Sequence, residues 1–161
     1  SCGSGADSDD SIQQITAVEL ARVLDVQKGT WALPEIPDPS WLHVQLWKDG
    51  EYRTGSSASH AAESLRGEEV MPFYVRRYYD EGEPVFAING NGGRTEFRLS
   101  HHCGQNYFMT SGYPTGPITV GPDGVIFKFD IKEEDDSHHE IVLRFAIKET
   151  GDLGPTEGEA R

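Results

Sequence analysis

Apolar side chains at every second position, in short runs separated by turn residues, are the feature that most constrains the fold of this chain. The clearest run covers residues 125–132, and a second run covers residues 140–148. Because successive side chains of a strand point to opposite faces, each run predicts a strand with one apolar face. The two strands should be neighbours whose large apolar side chains face one core: Phe127, Phe129 and Leu143.

Further short runs precede these two strands, and most of them end at glycine, aspartate or asparagine turns. They cover residues 41–47, 51–54, 71–79, 84–88, 94–100, 106–110 and 118–120. A parallel sheet needs a long crossover, usually a helix, between successive strands, and the chain has too few helical segments for that. The pattern predicts a mainly β fold, an antiparallel β-sandwich or barrel of about eight short strands with one or two short helices.

Two segments favour helices. Thr16 and Glu19 form a capping box, in which each side chain satisfies a backbone donor at the start of a helix. The box predicts a helix over residues 17–25 that ends near Gly29, and residues 58–65 favour a second one. The first helix is short and needs a packing partner, and we expect a helix to pack on one end or face of the β fold.

The composition divides the chain into three parts. Residues 1–11 are rich in glycine, serine and aspartate, which predicts a flexible tether. Residues 12–150 are predicted to form a single β-rich domain, and the polar residues 151–161 a frayed C-terminal tail. Three prolines within residues 32–40 predict an extended connector inside the domain.

The charge balance narrows the classes of partner. The chain has 27 acidic and 14 basic residues, which gives a formal net charge of -13. Affinity for nucleic acid comes mainly from lysine and arginine on phosphates, so this balance argues against a nucleic-acid partner. No apolar run approaches the roughly 20 residues of a membrane-spanning helix, so we expect membrane contact only through a lipid anchor.

The first cysteine suggests such an anchor. The segment Cys2-Gly3-Ser4-Gly5 resembles the mature N-terminus of a bacterial lipoprotein. The resemblance implies that Cys2 carries the lipid, and that the protein is secreted or lipid-anchored at the cell envelope. Cys103 would then be a lone thiol, which is typically a buried small hydrophobe; the alternative is a Cys2–Cys103 disulfide.

Two histidine pairs are candidates for metal binding. His101 and His102 precede Cys103, and His138 and His139 precede Glu140. Imidazole, thiolate and carboxylate are ligands for zinc or copper, but nothing in the spacing makes the pairs converge. We therefore expect no cofactor and predict that both histidines at 138 and 139 behave as ordinary surface residues, each costing less than about 0.5 kcal/mol on replacement by alanine.

Four aromatic residues form two further pairs on predicted strands. Trp41 and Trp47 share the more polar side of one strand, and Tyr74 and Tyr78 are similarly related on another. An exposed aromatic row on a sheet can bind sugars or a protein partner, because it offers apolar area with little loss of entropy. The interpretation we favour for the tryptophans is that they seal the ends of the core.

No sequence motif assigns catalytic residues. The chain has no Gly-x-Ser-x-Gly elbow and no His-Glu-x-x-His zinc motif. We therefore expect a non-enzymatic binding or structural interaction module, with a protein or polysaccharide partner at the cell envelope. Two alternatives stay open, a metal-binding protein or enzyme that uses the histidine pairs and a carbohydrate-binding module that uses the aromatic row.

Overall fold

The computed structural model describes residues 14–103, 107–109 and 116–156. Within them lie three short helices and ten strands. In chain order these are α1 (Ala17–Val23), β1 (Val26–Ala32), β2 (Trp41–Lys48), β3 (Glu51–Ala58), α2 (Ser59–Leu65), β4 (Val70–Asp80), β5 (Glu83–Gly90), β6 (Gly93–Arg98), α3 (Ser100–Cys103), β7 (Tyr107–Met109), β8 (Ile118–Val120), β9 (Val125–Glu133) and β10 (His138–Lys148). No helix among these residues is long and apolar enough to cross a membrane.

The strands form two five-stranded sheets, so the predicted mainly β sandwich is confirmed. Sheet A has the order β6-β5-β4-β1-β8, and sheet B has the order β3-β2-β10-β9-β7. Neighbouring strands are antiparallel except for β1 and β8, which pair in parallel. This one parallel pair joins strands that are far apart in the sequence.

The core lies between the two sheets and contains the residues predicted from the alternation. Phe127 pairs with Leu143 across β9 and β10, and Phe129 follows on the same face. All three side chains are buried, which confirms the prediction. Phe129 stacks on Phe86 of the opposite sheet, with 5.3 Å between ring centroids. Aromatic packing of this kind ties sheet A to sheet B.

The N-terminal part of the domain differs from the prediction. Thr16 caps α1 as expected, and its hydroxyl accepts the backbone N–H of Glu19 at 3.1 Å. The helix ends at Val23, however, and buries no residue. Gly29 lies in the middle of strand β1. A Cβ at this position would lie 2.2 Å from the Phe73 ring, so the chain can pass over that ring only with glycine here. The glycine therefore permits close packing and does not end a helix.

The start of the predicted C-terminal tail makes specific contacts with sheet B. This segment lies on the outer face of sheet B, where Gly151 packs against the indole of Trp41. Its start is fixed by His43, whose Nε2 is 2.8 Å from the Thr150 carbonyl oxygen, and by Ser57, which donates to the Gly151 carbonyl at 3.0 Å. Covering an apolar indole removes it from water and offsets the entropy lost on ordering. The N-terminal tether and residues 157–161 lie outside the described residues.

Candidate functional site

The two tryptophans that were candidate ligand-binding residues are not open to a ligand. Trp47 is buried, and its indole N–H donates to Gln45 Oε1 at 2.9 Å. Trp41 is half-buried beneath Gly151. An exposed aromatic row on β2 is therefore excluded, because the C-terminal segment covers a face that would otherwise meet solvent. The favoured interpretation placed these residues at the ends of the core, whereas the structure packs them on the outer face of sheet B, outside the core cluster.

The tyrosine pair lies on the outer face of sheet A, but only one of its rings is open. Tyr78 is half-buried, with the guanidinium carbons of Arg76 and Arg94 at 5.0 and 5.9 Å from its ring centroid. Its hydroxyl donates to Glu96 Oε1 at 2.9 Å. Tyr74, by contrast, is 46% exposed. Tyr74 therefore offers a ring face to a ligand, whereas Tyr78 is held by its neighbours.

Tyr74 is one member of a row that crosses four strands. Register pairs join Lys28 to Tyr74, Tyr74 to Asn89, and Asn89 to Arg94. Directly paired residues project from the same face, so the row presents an ammonium, a phenol, an amide and a guanidinium side by side. With neighbouring strands 4.7–4.9 Å apart, the row spans about 14 Å. We call it the Tyr74 row.

A shallow groove of about 410 Å³ follows part of this row. Its lining includes Pro72, three members of the Tyr74 row and the turn formed by residues 90–93. The turn is fastened to α2, because Asn91 Nδ2 donates to the Ala61 carbonyl oxygen at 2.6 Å and also to the Ser64 hydroxyl. One wall of the groove is therefore held in place by the body of the domain.

Positive charge is concentrated around the Tyr74 row, although the chain as a whole is acidic. Arg94 donates to Glu96, and this hydrogen bond lowers the pKa of the Glu96 carboxyl below its usual value. Lys28 and Arg76, in contrast, have no carboxylate partner within ion-pair distance among the described residues. The face can therefore attract an acidic ligand to these two cations.

The histidine pairs come to the same end of sheet B, but their side chains do not converge there with a third ligand among the described residues. Lys48 lies between their elements, and its buried ammonium donates to the His102 carbonyl oxygen at 2.9 Å and to Glu133 Oε1 at 3.0 Å. In the part of the chain that is described, no three His, Cys, Asp or Glu side chains are placed to share a metal ion. The Lys48 ammonium would also repel a second cation there.

The remaining members of the predicted metal set have separate surroundings. His101 is exposed, and burial lowers the pKa of His102. Cys103 is a free thiol that is fully buried, as predicted for a lone cysteine, and burial raises its pKa to about 11. A thiol at this pKa stays protonated near neutral pH and is a poor metal ligand. His138 is exposed at the start of β10.

His139 belongs to a hydrogen-bond relay that the sequence did not indicate. Its Nδ1 is 2.5 Å from Asp49 Oδ2, and its Nε2 is 3.0 Å from Ser137 Oγ. Burial raises the pKa of Asp49, but hydrogen bonds from the Glu140 amide and His139 outweigh this and lower it overall. The contact order Asp–His–Ser is that of a hydrolase triad. Here, however, the Ser137 hydroxyl donates to Asp135, so its proton is directed away from the imidazole.

The relay therefore connects the turn that follows β2 to the turn that precedes β10. His139 makes these contacts, so it differs from the ordinary surface residue that the sequence led us to expect. Replacing His139 with alanine should lower the free energy of unfolding by about 1 kcal/mol, because two hydrogen-bond partners are lost. His138→Ala is the matched control and should change it by less than about 0.5 kcal/mol. Urea unfolding of both variants at neutral pH measures the difference. Equal values for the two variants would show that the relay adds no stability.

Three members of the Tyr74 row were missed from the sequence. Asn89 was assigned to a turn and Arg94 to the start of a strand, and Lys28 lies between the predicted helix over residues 17–25 and Gly29. Their common position depends on strand register, which single-strand periodicity does not contain.

No family model, curated protein or solved structure matches this chain.

Proposed function

We propose that the protein is a non-enzymatic module that binds carbohydrate on the outer face of sheet A. The observation that carries the proposal is the Tyr74 row, which aligns one open aromatic ring with an amide and two cationic groups. The ring, the amide and the Arg94 guanidinium lie along a shallow groove. The catalytic alternative has less support, since the Asp49–His139–Ser137 relay directs its hydroxyl proton to a carboxylate.

The chemistry of the row suits a sugar. A phenol ring offers an apolar surface to the C–H face of a sugar ring, with little loss of side-chain entropy. The Asn89 amide and the Arg94 guanidinium offer hydrogen bonds to ring hydroxyls. The groove is shallow, which favours a chain lying along the face over a small molecule enclosed in a pocket.

The positive charge in and beside the row favours an acidic saccharide. Lys28 in the row and Arg76 on the same face are available to carboxylate groups, whereas the chain as a whole has a formal net charge of -13 and would repel such a polymer. We therefore propose a carboxylated polysaccharide of the cell envelope as the partner. We also propose that the protein is secreted or lipid-anchored. This location rests on the resemblance of Cys2 and its neighbours to the mature N-terminus of a bacterial lipoprotein.

Replacing Tyr74 with alanine should weaken binding of a galacturonate oligosaccharide by about tenfold or more, because the stacking surface is lost. Calorimetric titration with this oligosaccharide and with a neutral glucose oligomer of equal length measures affinity and charge preference. Tyr79→Ala is the matched control, since Tyr79 is 67% exposed on the same strand but lies outside the groove.

The control should bind as the unmodified protein does. If neither oligosaccharide binds, or if both tyrosine variants lose affinity equally, the proposed carbohydrate site is wrong. If the neutral oligomer binds as tightly as the acidic one, carbohydrate binding stands but the role of Lys28 and Arg76 does not.

A further inference from the structure

A cavity of about 210 Å³ lies between the two sheets, where the edge strands β3 and β6 face each other. We propose that it is a separate binding site for a short aliphatic chain headed by an oxygen acceptor, as in a medium-chain acyl group. The turn at residues 90–93 lies between this cavity and the Tyr74 groove, and Gly90, Gly93 and Arg94 line both. The proposal is independent of carbohydrate binding.

The walls of the cavity define the apolar part of the ligand. They come from both sheets and from α2, and the apolar side chains are Leu42, Val44, Ala61, Met71, Ile88 and Phe145. Engineered apolar cavities of about 150 Å³ bind benzene. By that comparison, this cavity has room for about eight non-hydrogen atoms, enough for the seven-carbon alkyl chain of octanoate with its carboxylate at the Ser56–Thr95 pair on the edge strands.

A pair of hydroxyl groups defines the head of the ligand. Ser56 Oγ and Thr95 Oγ1, on the two edge strands, lie 2.6 Å apart and share one hydrogen bond. Two hydroxyls carry two protons, and the bond between them uses only one. Neither hydroxyl has another hydrogen-bond partner among the described residues. The second proton is therefore free to donate to a carbonyl or carboxylate oxygen of a bound molecule.

The mouth of the cavity is open for a structural reason. Both β3 and β6 are edge strands, so no further strand from the described part of the chain closes the gap between the sheets. Near the mouth, His60 is exposed and Gly93 has no side chain. A Cβ on Gly93 would meet only the Gly90 carbonyl oxygen, at an ordinary contact distance of 3.7 Å. A larger residue at 93 lies on the same face as Thr95 and can fill the mouth without strain.

Titration of the full chain with octanoate, followed by amide chemical shifts, tests the proposal. We expect saturable shifts at residues around the cavity, and weaker binding of butanoate by about fourfold for each buried methylene that is removed. Methyl octanoate distinguishes an ester carbonyl from a free carboxylate as the preferred head group. Shifts that do not saturate, or equal affinity for octanoate and butanoate, would overturn the proposal.

Two variants locate the site. Gly93→Leu should abolish saturable octanoate binding, whereas Gly116→Leu, the same change at an open position away from the cavity, should leave it unchanged. The double variant Ser56→Ala/Thr95→Val removes the free donor and should weaken octanoate by about tenfold while keeping the preference for the longer chain. Unchanged binding in both the Gly93 variant and the double variant would place the ligand elsewhere.

Discussion

Replacing Phe129 with alanine is expected to lower the free energy of unfolding by about 3–5 kcal/mol. Phe129 is 2% exposed and stacks on Phe86 and Phe127, with ring centroids 5.3 and 5.7 Å away. The change removes apolar burial and leaves a cavity between two sheets that cannot close around it, since hydrogen-bonded strands hold both walls. Urea unfolding with linear extrapolation measures the loss.

Lys128→Ala is the control for that measurement. Lys128 is the preceding residue of β9 and is exposed, so its truncation should change the free energy of unfolding by less than about 0.5 kcal/mol. A loss at Phe129 as small as the loss at Lys128 would mean that the alternating pattern had been assigned to the wrong face of the sheet.

The strands with the strongest local patterns were the ones that could be predicted. In β9 and β10 the apolar and polar residues alternate, so the residue type indicates which face of the sheet each side chain occupies. Phe127, Phe129 and Leu143 could therefore be assigned to the core from the sequence alone. Strand β1 could not, because its stability comes from pairing with β4 and β8 and from the fit of Gly29 over Phe73. Neither partner is visible in a local window.

The difference between local patterns and long-range contacts also explains which residues of the candidate sites could be predicted. Tyr74 could be selected as an exposed aromatic, but its partners Lys28 and Asn89 come from other strands and meet it only through register. The burial of Trp41 depends on Gly151, which follows it by more than a hundred residues. The relay at His139 needs Asp49, which lies 90 residues earlier in the chain. Local periodicity contains no information on contacts of this range.

The second large loss of stability is expected from a substitution at Gly124, which lies beside β10. Gly124 has a φ of +77°, and a Cβ there would lie 2.0 Å from the Phe145 carbonyl oxygen. The Gly124 carbonyl oxygen also accepts the backbone N–H of Phe145 at 2.8 Å, which fixes the two backbones at this distance. Alanine at 124 must therefore move the backbone of a central strand. We expect Gly124→Ala to lower the free energy of unfolding by about 4 kcal/mol, a loss as large as that caused by substitutions that disrupt a core.

Gly50→Ala separates the two causes of this loss. Gly50 has the same φ of +77°, but no atom lies within 4 Å of the position of its Cβ. The variant therefore measures the strain of a positive φ alone, for which we expect about 1–2 kcal/mol. Comparing the two urea midpoints isolates the contribution of the contact with Phe145. If both variants lose the same free energy, backbone conformation explains the glycine at 124, and the close approach to β10 adds nothing to the stability of the fold.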